Sequence, residues 1–108
     1  MIVAGERLIG QGFCDVTLTA IAWKDEGVDL EIELPDARLV SSTSARLVCR
    51  WLTSMVITLD LTKNPGPPLT WEGEVKHSAA GRFRLSLQFG SSGDIIIDCD
   101  EVELQGRS

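Results

Sequence analysis

Few residues in the sequence have the type and spacing that catalysis requires. Its one histidine, His77, carries an imidazole that could serve as an acid or base near neutral pH. A hydrolytic triad also needs a nucleophile and an orienting acid in contact with that ring. Ser78 is adjacent, but neighbours on a strand point to opposite faces, and no GxSxG motif occurs. We therefore predict no catalytic residue and a histidine that faces solvent.

The cysteines do not form a metal-binding pattern. Cys14, Cys49 and Cys99 are widely spaced, and no CxxC pair occurs. Structural zinc takes four ligands, usually in close pairs. The acidic C-terminal segment lacks the spacing of an EF-hand calcium loop. We predict three small buried thiols in a reducing cytoplasm, with no metal and no cofactor.

Carboxylates are concentrated on two strand-like segments. The acidic residues at alternating positions are Asp29, Glu31, Glu33, Asp98 and Asp100. The chain has 10 basic and 16 acidic residues, a formal net charge of −6, which disfavours nucleic acid as a partner. If the two strips adjoin, they form a negative sheet face that attracts a basic protein.

Arginines supply the opposite possibility for these strips. The candidates on neighbouring segments are Arg46, Arg50, Arg82 and Arg84. If they lie across from the carboxylates, cross-strand ion pairs neutralise the face. Strand order decides between the two arrangements, and the sequence leaves both open.

The tryptophans Trp23, Trp51 and Trp71 are a second candidate for binding. Aromatic faces can line a cleft for a small ligand or carbohydrate. Each tryptophan, however, shares its strand parity with apolar neighbours. This favours burial in the core, with the ligand cleft as the alternative.

The elements that carry these residues show a period of two. Apolar residues alternate with polar ones in segments 28–34, 47–51, 55–61, 69–75, 83–89 and 95–99. Alternation of this kind is typical of a half-buried strand. Phase changes near Ala20 and Asp100 predict β-bulges. Turns are predicted at residues 24–27, with positive φ at Gly27, and at 90–93. Gly73 falls on an inward position, which indicates a bulge or close packing of a bulky neighbour.

These segments predict an all-β fold with one domain over residues 1–108. We expect a single-domain antiparallel β-sandwich or partly open barrel of about seven or eight strands. No apolar run reaches the roughly 20 residues that span a bilayer, and no signal peptide is visible. We therefore expect a cytoplasmic protein with no membrane contact. An exposed edge strand would allow a homodimer.

The segment around Phe13-Cys14-Asp15, with Trp23, Gly27 and a strand ending at Pro35, resembles the opening of small uncharacterised bacterial β domains. Some immunity proteins of polymorphic toxins are among them. The strand at Trp71-Glu72-Gly73 and the hairpin over residues 83–97 extend the resemblance over most of the chain. Those domains have His-Asp where this chain has Cys14-Asp15. The resemblance implies a cytoplasmic protein that binds another protein, and it transfers no functional residue.

We therefore predict a non-catalytic protein-interaction domain. Its acidic sheet face would engage another protein of basic character. The alternative is a β domain that binds a small ligand or carbohydrate through its tryptophans.

Overall fold

A computed structural model of the chain describes residues 1–62, 66–78 and 81–107. Within them lie seven strands, a four-residue helix and a 3₁₀ turn at Gly90–Ser92. The elements are β1 (Ile2–Ala4), α1 (Gly5–Leu8), β2 (Thr17–Lys24), β3 (Gly27–Glu33), β4 (Ser44–Ile57), β5 (Glu72–His77), β6 (Phe83–Gln88) and β7 (Asp94–Gly106). The predicted all-β antiparallel fold is confirmed. No helix in the described part of the chain is long and apolar enough to cross a membrane.

The strands form one sheet in the order β2-β3-β4-β7-β6-β5, with β1 also paired to β7. Strand β7 is the centre of this arrangement. It pairs with β4 along nearly its whole length on one side. On the other side it pairs with β6 up to Cys99 and with β1 from Glu103 onward.

Backbone hydrogen bonds join the two ends of the sheet. The amides of Phe13 and Leu18 donate to the carbonyls of Gly73 and Pro68, each at 2.9 Å. The buried Thr70 hydroxyl donates to the Phe13 carbonyl at 2.6 Å and accepts from the Val16 amide at 2.9 Å. These bonds curl one open sheet toward a partly open barrel, rather than stacking two sheets as in a sandwich.

Strand β4 is one strand of 14 residues, where the alternation suggested two. Trp51 adopts a left-handed φ of 59°, and the register shifts between Leu52 and Ser54. These irregularities move the inward face from Cys49 to Leu52, since Cys49 is buried and Leu52 packs on the core. The alternation of inward and outward side chains therefore breaks inside β4, although the strand itself is continuous.

In strand β7 the alternation of buried and exposed residues also changes phase, opposite the irregular part of β4. Cys99 and Val102 are both buried, so the change predicted near Asp100 is present. The register shift between β4 and β7, however, lies on β4. The bulge predicted near Ala20 is confirmed by the shift between Leu18 and Ala20 in the β2–β3 pair.

The core fills the concave side of the sheet. Its largest fully buried side chains include Phe13, Leu8, Leu30, Ile32, Leu47, Leu85, Leu87, Ile95, Ile97 and Leu104. Cys49 and Cys99 are buried with them, but Cys14 is exposed, so the prediction of three buried thiols is wrong for Cys14. It lies in the connection between α1 and β2, ahead of the regular strand.

Two glycines are required by close approach. Gly27 does not adopt the predicted positive φ. It lies against the Cys49 carbonyl of β4, where a Cβ would collide with backbone. A Cβ on Gly73 would lie 2.7 Å from Leu87 Cδ2 and 2.8 Å from Phe13 Cβ. The predicted close packing at Gly73 is therefore confirmed.

Candidate functional site

The first acidic strip, on β3, is largely neutralised. Asp29 is only 6% exposed, so it does not belong to a solvated face. The carboxylate of Glu31 lies 3.4 Å from Arg46 Nη2 and 3.0 Å from Arg107 Nη1. Glu33 accepts a hydrogen bond from the Ser44 hydroxyl at 2.7 Å. This strip is therefore tied to its neighbours in the sheet.

The second strip, on β7, is paired with arginines of β6. Arg84 donates two hydrogen bonds, of 2.8 and 3.0 Å, to the Asp98 carboxylate. The Arg84 hydrogen bond holds the pKa of Asp98 below its usual value, against the opposing effect of burial. Arg82 Nε lies 3.0 Å from Asp100. Such partly exposed pairs contribute little stability, but they neutralise the local charge.

Strand β4 separates the two strips, because the order runs β3-β4-β7. Its outward Arg50 contacts both Glu101 and Glu103 of β7. The strips therefore do not merge into one free negative face. Of the two arrangements that the sequence left open, cross-strand pairing with arginine is the one observed.

The tryptophans are exposed, so their predicted burial is wrong. The exposed fractions are 67% for Trp23, 55% for Trp51 and 72% for Trp71. Trp23 shares the inward parity of β2 and lies opposite the fully buried Val28, but β2 is the end strand of the sheet order. The left-handed backbone of Trp51 turns that residue away from the inward phase. Trp71 precedes β5 rather than belonging to it.

The three indoles do not share a cleft. Among the described residues, the single stacked ring pair is His77 with Phe83. Trp71 lines two grooves in the described part of the chain, and neither of these grooves includes Trp23 or Trp51. The tryptophan cleft of the alternative hypothesis is therefore reduced to one residue.

Trp71 lies in a groove of about 490 Å³ between the 10–14 connection and the outer side of the β5–β6 hairpin. Its polar lining residues are Gln11, Cys14, Glu72, Glu74, Ser86 and Gln88. A second groove of about 300 Å³, lined by Trp71, Glu72, Gln88, Gly90 and Asp94, adjoins it. Both include the Trp71 ring, so we call them together the Trp71 groove.

Backbone contacts hold Trp71 in this position. Its amide donates to the Gln88 carbonyl at 2.8 Å, which continues the β5–β6 pairing by one residue. Its indole lies over Gly90, where a Cβ would come within 2.9 Å of the indole Nε1. Gly90 has a φ of 63°, which glycine adopts without strain. The exposed ring is therefore supported on one side by backbone.

The Trp71 groove is negatively charged. Three carboxylates line it, those of Glu72, Glu74 and Asp94, and none of its described lining residues is basic. Lys76 Nζ lies 3.1 Å from Glu74, with both side chains more than half exposed. No described cation lies within 4.0 Å of the Glu72 or Asp94 carboxylate.

Neither His77 nor the cysteines complete a catalytic or metal site in the described residues. His77 ends β5, is exposed as predicted, and places Nε2 3.1 Å from Glu6. No group of three or more metal-ligating side chains occurs among the residues with a described position. The neighbouring Cys99 thiol and burial raise the pKa of Cys49 well above its usual value. Burial and the Cys99 thiol therefore both disfavour the thiolate of Cys49, which is the reactive form.

The sequence did not identify Glu72, Glu74 and Asp94 as members of one site. The signal for Glu72 and Glu74 was their alternation with the inward positions of residues 69–75, whereas Asp94 lies on another segment. Asp94 joins them because β6 brings the start of β7 back beside Trp71. Comparison of the chain with protein-family models, curated proteins and solved structures finds no match in any of the three.

Proposed function

We propose that the protein is a non-catalytic interaction domain whose Trp71 groove binds a cationic side chain of a protein partner. The observation that carries this proposal is an indole, 72% exposed, in a groove whose charged lining residues, among those that the structure describes, are all carboxylates. The proposal keeps the predicted basic partner but moves its site from the two paired strips to the groove.

The chemistry of the groove suits lysine or arginine. A cation over the face of an indole gains roughly 0.5–1 kcal/mol at an exposed site and about 2 kcal/mol when desolvated. Glu72 and Asp94 add acceptors for the same ammonium or guanidinium group, and charge-assisted bonds are stronger than neutral ones. Because Glu72 lines both parts of the groove, it is the carboxylate we expect to contribute most.

The net charge of −6 supports a basic partner, since long-range attraction raises the association rate. The resemblance to immunity proteins is consistent with a partner of this kind, such as a basic toxin. The three free cysteines fit a reducing cytoplasm, which we infer as the location.

Carbohydrate binding is the second candidate, and one observation favours it. The Trp71 groove also contains the amides of Gln11 and Gln88 and the hydroxyl of Ser86. Aromatic faces and neutral hydrogen-bonding groups suit a sugar ring. The two candidates differ in charge: sugar binding would be nearly independent of salt and would survive removal of the Glu72 charge.

The test is the fluorescence anisotropy of a labelled hexa-arginine peptide titrated with the protein at low and high salt. We expect saturable binding that weakens with salt, because screening reduces the attraction of exposed charges. Glu72→Gln and Trp71→Ala should each weaken it. For Trp71→Ala the loss should be roughly 2- to 30-fold, from about 0.5–2 kcal/mol of cation–π energy.

Matched controls separate the groove from general acidity. Asp25→Asn removes an exposed carboxylate at the β2–β3 tip, and Trp23→Ala removes an exposed indole outside the groove. Neither should change the affinity more than twofold. Equal losses in the groove and control variants would refute the groove as the site. Binding of a neutral oligosaccharide, unaffected by salt or by Glu72→Gln, would favour the second candidate.

A further inference from the structure

The outer face of the sheet continues from the Trp71 groove onto β7 and β4. Ile95 and Ile97 of β7 are fully buried, so Ile96 between them points to the opposite, outer face. Ile96 lies directly opposite Ser86 of β6 on one side and Val56 of β4 on the other. Ser86 also lines the Trp71 groove. Because residues directly opposite each other share a face, the groove adjoins Ile96 and Val56.

These two aliphatic residues form a small apolar patch, which we call the Ile96 patch. Val56 is 50% exposed, and Ile96 is partly exposed. Directly opposed residues have Cβ atoms about 4.5–5.5 Å apart, so the two side chains offer one aliphatic surface. Farther along the same face of β7, Asp98 is already paired with Arg84. The patch therefore lies between the carboxylates of the groove and a closed ion pair.

The geometry of β7 sets the spacing that a partner must match. Asp94, which lines the groove, precedes Ile96 by two residues on the same face of the strand. Two residues along a strand correspond to about 6.4–6.8 Å. An extended segment repeats its own side chains on one face at the same interval. A basic residue held at Asp94 therefore brings the residue two positions away over the Ile96 patch.

The charges around the patch favour one kind of occupant. Neither Glu72 nor Asp94 has a described cation within 4.0 Å of its carboxylate. A neutral or acidic segment laid over the patch would leave these carboxylates unpaired beside it, and desolvating an unpaired carboxylate is costly. A segment that carries both a cation and an aliphatic side chain complements the two parts of the surface together.

We propose that the Trp71 groove and the Ile96 patch form one surface for an extended segment of a protein partner, in which a basic and an aliphatic residue are two positions apart. This inference rests on the proposed function, because the cation in the groove supplies the first contact. It adds the second contact and the spacing between them. An open patch covers about one side of a leucine, and half of the full burial of that side chain corresponds to roughly 3- to 12-fold in affinity.

Fluorescence anisotropy with three labelled peptides of equal charge tests this surface. The probe is three repeats of Arg-Ser-Leu-Ser, which places leucine two positions from each arginine, on the same face of an extended chain. Three repeats of Arg-Ser-Ser-Ser lack leucine. Three repeats of Arg-Leu-Ser-Ser have the composition of the probe, but their leucines point to the opposite face from the arginines.

We expect the probe to bind roughly 3- to 12-fold more tightly than either of the other peptides. If the probe and the peptide without leucine bind equally, the Ile96 patch is overturned while arginine binding by the groove stands. If the two leucine peptides bind equally, the extended segment with its two-residue spacing is overturned. If no peptide binds, this proposal and the proposed function both fail.

Variants of the protein locate the leucine contact. Val56→Thr keeps the β-branched shape but replaces a methyl of the patch with a hydroxyl, and it should reduce the advantage of the probe to less than about twofold. Ile2→Thr makes a comparable change at an exposed residue of β1 and should preserve the advantage. An advantage that survives Val56→Thr, or that both variants lose equally, would refute the patch. Far-UV circular dichroism confirms that each variant is folded.

Glu72→Gln separates this proposal from the proposed function. It should weaken the binding of all three peptides and leave the advantage of the probe unchanged, because it alters the cation contact alone. If Glu72→Gln leaves every affinity unchanged while Val56→Thr removes the advantage of the probe, the groove fails as the cation site and the apolar contact stands.

Discussion

Replacing Gly73 with alanine tests the contact that joins the 10–14 connection to β5. The new Cβ would lie 2.7 Å from Leu87 Cδ2, 2.8 Å from Phe13 Cβ and 3.1 Å from the Phe13 carbonyl. The Leu87 methyl can move by a change of rotamer. Phe13 Cβ and the Phe13 carbonyl cannot move freely, because the Phe13 amide donates a hydrogen bond to the Gly73 carbonyl. The Phe13 segment must therefore shift outward.

The magnitude follows from two opposing effects. Overpacking of a tight core typically costs about 1–3 kcal/mol. Alanine also reduces the freedom of the unfolded chain, which returns about 0.4–1 kcal/mol. We expect Gly73→Ala to lower the free energy of unfolding by about 1–2 kcal/mol, which lowers the Tm of a domain of this size by roughly 4–15 °C.

Urea unfolding followed by tryptophan fluorescence measures this change. Gly12→Ala is the matched control, because it lies in the same connection and a Cβ there meets nothing within 4 Å. Its stability should stay within about 0.5 kcal/mol of the wild type or rise slightly. If Gly73→Ala proves as stable as Gly12→Ala, the close packing of Phe13 on β5 would be refuted.

Three further predictions concern the groove, the cysteines and the ion pairs. Gly90→Ala should displace the Trp71 indole, since a Cβ there lies within 2.9 Å of Nε1, and shift the tryptophan emission maximum; an unchanged spectrum would contradict the packing. A maleimide should label only Cys14 in the native protein and all three cysteines in denaturant, as read by mass spectrometry, and rapid native labelling of Cys49 would contradict its burial. Asp98→Asn should cost about 0.2–1 kcal/mol at neutral pH. Because Arg84 lowers the pKa of Asp98 in the folded protein, this stabilisation is present above the unfolded pKa of about 3.9 and is lost as the pH falls through the folded pKa. The free energies of unfolding of the wild type and Asp98→Asn, measured in urea, should therefore converge in acid. A difference that persists there would contradict the ion pair.

Local patterning predicted most of the sheet. The alternation in residues 28–34 and 83–89 reports which side chains face inward, because that pattern depends only on strand geometry. The bulge near Ala20 and the tight packing at Gly73 were visible as breaks in the same pattern. The continuity of β4 was not, because its left-handed residue at Trp51 interrupts the alternation without ending the strand.

Exposure of the tryptophans could not be predicted from parity. Trp23 has the parity of a core residue and lies opposite the buried Val28, but β2 is the end strand of the sheet, and the place of a strand in the sheet order is not visible in its own pattern. The Trp71 groove depends on contacts between residues 13–18 and 68–73, whose bonded partners are 50 or more positions apart in the sequence. The pairing of Asp98 with Arg84 likewise depends on β6 lying beside β7, and strand order is not a local property of the sequence.

The most direct test of the central claim is an NMR titration of the ¹⁵N-labelled protein with hexa-arginine peptide. The three tryptophans give three indole N–H signals, and Trp71→Phe identifies the one from the groove. Binding of a cation at the groove predicts that the Trp71 signal shifts with peptide concentration and returns with added salt, while the Trp23 signal stays in place. A Trp71 signal that does not move while another indole does would contradict the account.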